Sequence, residues 1–204
     1  MDNNKPITIH VHLVSGVTRV FHQDNPELIA KICNDLDARI FDRSTLVIEN
    51  KDSAVAFAGH GLLGISIITE EIPNVVSMRE NSLRTYVRQI SKADFNLLLE
   101  KNLPKVEGLR SNIVSEIAFV NGQTIYLEFS EIAVGGMGER AEMHHLFTNP
   151  LLACRRLGGG VSLWNTARIM SWSHSPKLES PGNAWSAIEA FEAAGPPPKV
   201  FSLL

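Results

Sequence analysis

The stretch Ile7-Thr-Ile-His-Val-His-Leu-Val14, with Ser15-Gly16 and Val17–His22 after it, decides how this chain folds. Apolar and polar residues alternate with period two over 7–14, the pattern of a strand with one buried face. Ser15-Gly16 reads as a two-residue turn, which sets Val14 opposite Val17 and closes a β-hairpin. That register predicts a core face of Ile9, Val11, Leu13, Val20 and His22. It places His10, His12, Arg19 and Phe21 on the other side, with the imidazoles turned away from the core.

Working outward, Asp24-Asn25-Pro26-Glu27 is a helix start: Asn can cap, Pro suits the first turn and Glu favours the positive dipole end. Leu28, Ile29, Ile32, Cys33, Leu36 and Ile40 follow at helical spacing, predicting a helix near 26–38. Three β-prone runs, Thr45–Glu49, Ala54–Ala58 and Leu62–Thr69, are separated by turn-like Asn50–Ser53 and Gly59-His60-Gly61, which predicts an antiparallel meander beside that helix. Glu70–Asn74 breaks the pattern, and 75–83 has no period. The reading is therefore an N-terminal α+β subdomain over 1–74, a linker over 75–83 and a β-rich subdomain over 84–204, with one merged domain as the alternative.

In the second half, Tyr86–Ile90 predicts a strand, and Ser91 or Asp94 opens a short helix carrying Phe95, Leu98 and Leu99. Asn121-Gly122 lies between two β-rich runs, Ile113–Val120 and Gln123–Val134, and is the preferred filling of a two-residue type I′ turn. Val161–Trp164 and Ala167–Trp172 predict two further strands. Gly135–Gly138 and Gly158–Gly160 are bends: the second runs into β-like Val-Ser-Leu-Trp, and the first has Glu139 where a phosphate cradle wants Lys. Asn183 caps a helix over 184–194, followed by three prolines and an apolar tail, Lys199–Leu204. The expected class is α+β, with a small barrel or sandwich-like second half and a C-terminal helix. Phe21–Pro26 and Leu146–Pro150 share an Asn-Pro ending, too little to establish internal repetition.

An apolar fraction of 44% with 20% charged residues supplies a sizeable core and argues against a disordered chain. No apolar run reaches the ~18 residues of a membrane helix. Cys33 and Cys154 stand far apart in no CxxC context, and the first residues show no signal-like apolar segment, so a reduced, cytoplasmic setting is expected. Net charge is −3, which excludes only a strongly basic binder.

Three constellations carry possible chemistry. His10-Val-His12 puts two imidazoles on one strand face, close enough to share a divalent metal, with His144 (or Glu142 and His145) as a further ligand. It resembles the His-x-His that opens the metal-dependent amidohydrolases, a resemblance of three residues; that family's barrel needs about 250 residues, more than this chain has. Arg19, expected beside the pair, disfavours a cation. The plainer reading is two exposed strand histidines. Arg79, Arg84, Arg88 and Lys92 form a basic stretch suited to a phosphate or nucleic acid, although most such stretches are solvated faces. Trp164, Trp172 and Trp185 cluster late in the chain, where aromatics anchor cores more often than ligands.

Walker, dinucleotide, Gly-x-Ser-x-Gly, HExxH and zinc-finger patterns are all absent. The leading expectation is a non-catalytic soluble binding or regulatory protein without a cofactor, acting through protein contacts or self-association. A metal-dependent hydrolase built on His10 and His12 is the alternative, and a weak nucleic-acid or phosphate binder through residues 79–92 is the second alternative.

Overall fold

In the computed structural model, which describes residues 5–37, 39–42, 45–49, 52–70, 85–101, 110–132 and 150–175, the opening hairpin forms from β1 (Ile7–Leu13) and β2 (Thr18–Gln23). Its register differs from the expected one. Leu13 N–H donates to the Val17 carbonyl at 2.9 Å and Gly16 N–H to the Leu13 carbonyl at 3.0 Å, which makes a three-residue loop. Gly16 takes a φ of 85°, the left-handed residue that ends such a loop and that only glycine adopts without steric cost. The extra loop residue moves every pairing by one: His12 lies opposite Thr18, His10 opposite Val20 and Thr8 opposite His22. Val20 and His22 therefore join the histidine face. Arg19 and Phe21 go to the other, where Phe21 meets Phe57 edge-on. A one-residue slip inverts both faces of a strand.

Helix α1 (Pro26–Asp35) starts as expected, the Asn25 side chain accepting from Glu27 and Leu28 N–H. Together with the short α2 (Arg39–Asp42) it brings Ile29, Cys33, Leu36, Ile40 and Phe41 onto the sheet. The expected meander does not form. β3 (Thr45–Glu49) and β4 (Ala54–Ala58) pair as a separate hairpin, whereas β5 (Leu62–Ile68) leaves through a 3₁₀ turn at Gly59–Gly61 and enters another sheet. Burial accounts for the split. β4 is exposed at every second residue, with only Val55 and Phe57 turned inward, but Leu62-Leu-Gly-Ile-Ser-Ile67 is buried throughout. A run that is apolar on both faces belongs at the centre of a sheet.

The C-terminal strands complete that sheet: β6 (Thr85–Ile90), β7 (Arg110–Phe119), β8 (Thr124–Ile132), β9 (Leu151–Arg155), β10 (Val161–Asn165) and β11 (Ile169–Ser175). Helix α3 (Lys92–Lys101) follows β6, its start fixed by the Ser91 hydroxyl accepting from Asp94 N–H at 3.0 Å. The nine strands run in the order β11-β7-β8-β6-β9-β10-β5-β1-β2. All contacts are antiparallel except β6·β9, which is parallel with Arg88 opposite Arg155. The architecture is α+β and strand-rich, and the sheet is open; the small barrel expected for the second half is not formed, because β10 pairs with β5 of the first half instead of closing on its own strands. No helix among the described residues is long and apolar enough to cross a membrane. The expected linker 75–83, the helix 184–194 and the tail 199–204 lie outside the described residues.

Both halves use the same unit. At the β7–β8 turn, Phe119 N–H donates to the Gln123 carbonyl, Gly122 N–H to the Phe119 carbonyl and Val120 N–H to the Arg168 carbonyl. At β1–β2 the same three bonds join Leu13 to Val17, Gly16 to Leu13 and Val14 to Gly61. The two-residue type I′ turn expected at Asn121-Gly122 is thus the same three-residue loop, with Gly122 at a φ of 81°. Each hairpin is followed, after a second hairpin and a 3₁₀ turn, by a strand that returns to pair with its first strand: β5 with β1, β11 with β7. The two 3₁₀ turns touch, the Arg168 guanidinium donating to the His60 carbonyl.

Candidate functional site

Alternation along β1 turns Ile7, Ile9 and Val11 toward α1 and leaves Thr8, His10 and His12 on the opposite face of the sheet. Across the neighbouring strands that face carries Ser66 of β5, Ser162 and Trp164 of β10, and Cys154 and Leu152 of β9. Gly64, opposite both His12 and Trp164, makes this arrangement fit. A Cβ there would sit 2.5 Å from the Trp164 ring, so glycine alone lets the indole lie flat over β5. Trp164 then stacks on His12, with ring centroids 5.0 Å apart and planes at 29°, and also packs against Phe119, at 5.2 Å and 34°.

The polar atoms form one chain across four strands. Thr18 Oγ1 lies 3.1 Å from His12 Nδ1, His12 Nε2 lies 2.9 Å from Ser66 Oγ, and Ser66 Oγ lies 2.8 Å from Ser162 Oγ. Ser66 is 1% exposed and Ser162 fully buried. Burial lowers the His12 pKa to about 4, helped by the nearby positive charge of His10 and Arg156. His10 is lowered for the same reasons, burial first and then Arg156 and His22. Burial pushes the Cys154 thiol up to about 12. His12 is therefore neutral at pH 7, one ring nitrogen donating and the other accepting, and hydroxyls on both sides suit either tautomer.

A histidine hydrogen-bonded to a serine invites comparison with a nucleophile and its base. Three features of the arrangement oppose that chemistry. The Ser66 hydroxyl is sealed from solvent and engaged by Ser162. The group on Nδ1 is a neutral threonine, which cannot offset the charge of an imidazolium as a carboxylate does. A pKa near 4 also leaves His12 a poor general base at neutral pH. The chain of hydroxyls and imidazole instead satisfies the buried polar groups of His12, Ser66 and Ser162.

The metal reading meets a similar obstacle. A ligating imidazole must offer a ring nitrogen, and both nitrogens of His12 are engaged by hydroxyls. His10 lies with its ring centroid 6.0 Å from that of His12, and His144, Glu142 and His145 lie outside the described residues. No group of three or more His, Cys, Asp or Glu able to hold a metal ion occurs among the described residues. Arg19, placed beside the histidine pair by the sequence, lies opposite Val11 on the other face; the arginine that adds to the effect of burial on both histidines is Arg156. Of the basic stretch, Arg79 and Arg84 are outside the described residues. The Arg88 guanidinium bonds Glu128, directly opposite on β8 and 5% exposed, and Lys92 opens α3.

Sequence reasoning found His10 and His12 but missed Ser66, Ser162 and Thr18. The available signal was a lone serine inside two apolar runs, Leu62–Ile68 and Val161–Trp164. A hydroxyl kept where every neighbour is apolar needs a partner. No family model, no curated protein and no solved structure matches the chain.

Proposed function

We propose that this protein is a non-catalytic binding module that works through protein contacts, with β2 as its docking element. The observation that supports this is the state of β2. Among the described residues it ends the nine-stranded sheet, pairs with β1 over six consecutive residues without a bulge, and is exposed at Thr18, Arg19, Val20 and His22. A regular edge strand presents a row of free backbone donors and acceptors, which proteins ordinarily blunt with lysine, proline, a bulge or a cover. The opposite edge, β11, is blunted, its pairing with β7 shifting register between Ile169 and Ser171. β2 contains neither lysine nor proline, and its one charged residue, Arg19, sits at a position paired with Val11 of β1. Its free edge is the feature of a strand that accepts another strand.

Cys33 and Cys154 support a reducing, cytoplasmic setting, being free and buried in separate clusters. A photo-crosslinking residue placed at Val20 in the native host tests the proposal, with the same residue at Glu100 of α3 as the control. A covalent protein adduct from position 20 that is missing from position 100 is the expected result. Equal labelling at both positions would refute the assignment of β2.

A further inference from the structure

We infer that the partner taken by β2 is β2 of a second copy of this chain, in an antiparallel pairing about a two-fold axis through Val20. This rests on the reading of β2 as the docking element and adds the identity and register of what docks.

The first support is internal. The second half repeats the β1–β2 unit as β7–β8, and there the strand corresponding to β2 is not free. β8 pairs along its outer side with β6, Tyr126 opposite Ile90 and Glu128 opposite Arg88. Matching the loops residue for residue, Gly16 to Gly122 and Val17 to Gln123, sets Val20 against Tyr126 and His22 against Glu128. The positions that take an antiparallel strand in the second unit are thus the ones standing open in the first.

The second support is the direction of the backbone groups. The Leu13–Val17 bond makes that pair a hydrogen-bonded one. Bonded and non-bonded pairs alternate along an antiparallel ladder. Thr18, Val20 and His22 therefore point their N–H and C=O groups away from β1. A partner strand must meet those three residues, which restricts the two-fold centre to Arg19, Val20 or Phe21.

The third support is chemical. Centred on Val20, the pairing sets Val20 against Val20 of the second copy, Thr18 against His22 and Arg19 against Phe21. Threonine opposite histidine already occurs twice in this hairpin, as Thr8 with His22 at 3.1 Å and Thr18 with His12 at 3.1 Å. Arginine against an aromatic ring is a favourable cation–π contact. Centring on Arg19 would oppose two guanidinium groups, which is destabilising across a strand pair. Centring on Phe21 would pair only Val20 and His22 of the three outward-facing residues within β2, with fewer backbone bonds. The self-complementary arrangement is isologous and closes as a dimer, leaving no further free β2 edge. Val20 itself is 49% exposed and becomes the centre of the contact.

Sedimentation velocity over a concentration series tests the inference. Wild-type protein is expected to pass from monomer to dimer. Val20→Pro deletes only the outward N–H, so the β1·β2 ladder survives; it should raise the dimer dissociation constant at least tenfold, about 1.4 kcal/mol. Val20→Lys brings two like charges together on the axis and should do the same, which keeps the test valid if the proline variant unfolds. Val20→Cys treated with a short bis-maleimide should give crosslinked dimer, and Leu97→Cys on α3 should not; the two native thiols are buried. A dimer that ignores both substitutions overturns the inference. Monomer at every concentration, with position 20 still capturing a protein of a different mass, overturns self-pairing and leaves the docking role of β2 standing. Monomer with no adduct from position 20 overturns both.

Discussion

Acidification provides the sharpest test of the buried polar chain. His12 titrates near 4 in the folded protein against an ordinary 6.5. The unfolded chain therefore binds a proton at higher pH than the native one, and linkage makes stability rise with pH across that window and fall as acid is added. The full contribution is present above 6.5 and is lost on descending toward 4. At about 1.4 kcal/mol per pH unit the interval amounts to roughly 3 kcal/mol, of which about 2.5 kcal/mol is gone by pH 4.5. His10 and His174 are also lowered, chiefly by burial, so the wild-type slope alone does not isolate His12. The comparison with His12→Gln does, because glutamine retains a hydrogen-bonding group toward Ser66 but does not titrate. Urea unfolding at pH 7.5, 6.5, 5.5 and 4.5 should show the variant less stable at pH 7.5, having lost the stack on Trp164, and the two curves converging as the pH falls. Parallel curves with a constant separation would refute the claim that His12 is held neutral by the fold.

Two further substitutions probe the surroundings. Gly64→Ala drives a methyl group into the Trp164 ring and the Leu163 carbonyl, at 2.5 and 2.7 Å, and should cost about 1–3 kcal/mol in urea unfolding with a change in tryptophan fluorescence; an unchanged midpoint would show that the indole does not lie over β5. Arg88→Ala leaves the Glu128 carboxylate buried without this partner and should destabilise by about 2 kcal/mol, below the cost at a fully buried pair because Arg88 is half-exposed. The Arg88→Ala, Glu128→Gln double variant should recover most of that loss.

The sequence was informative wherever the deciding interaction was local. The α1 start was legible because Asn25 bonds Glu27 and Leu28, two and three residues away. Strands β1, β3, β4, β5, β7 and β8 were legible from apolar patterning. Both loop registers were misread by one residue for a common reason: a glycine with positive φ serves a two-residue turn and a three-residue loop equally well. Size offered a cue, since the shifted register turns Phe21 rather than the smaller Val20 toward the core, where it is half-buried. The neighbours of β5 were not legible, because a pairing with β10 across about a hundred positions leaves no mark on either segment. For the same reason His12 was found but not its environment: Ser66, Ser162 and Trp164 reach it only through that long-range pairing.

The pairing of β5 with β10 also governs how the chain is made. A ribosome that has delivered the first seventy residues has released β1, β2, α1 and β5, yet β5 stays bare along the side that Val161–Trp164 will fill. Synthesis proceeds at about 5–20 residues per second, so that apolar flank waits several seconds for its neighbour. During that interval the unfilled side of β5 is open to mispairing with other strands.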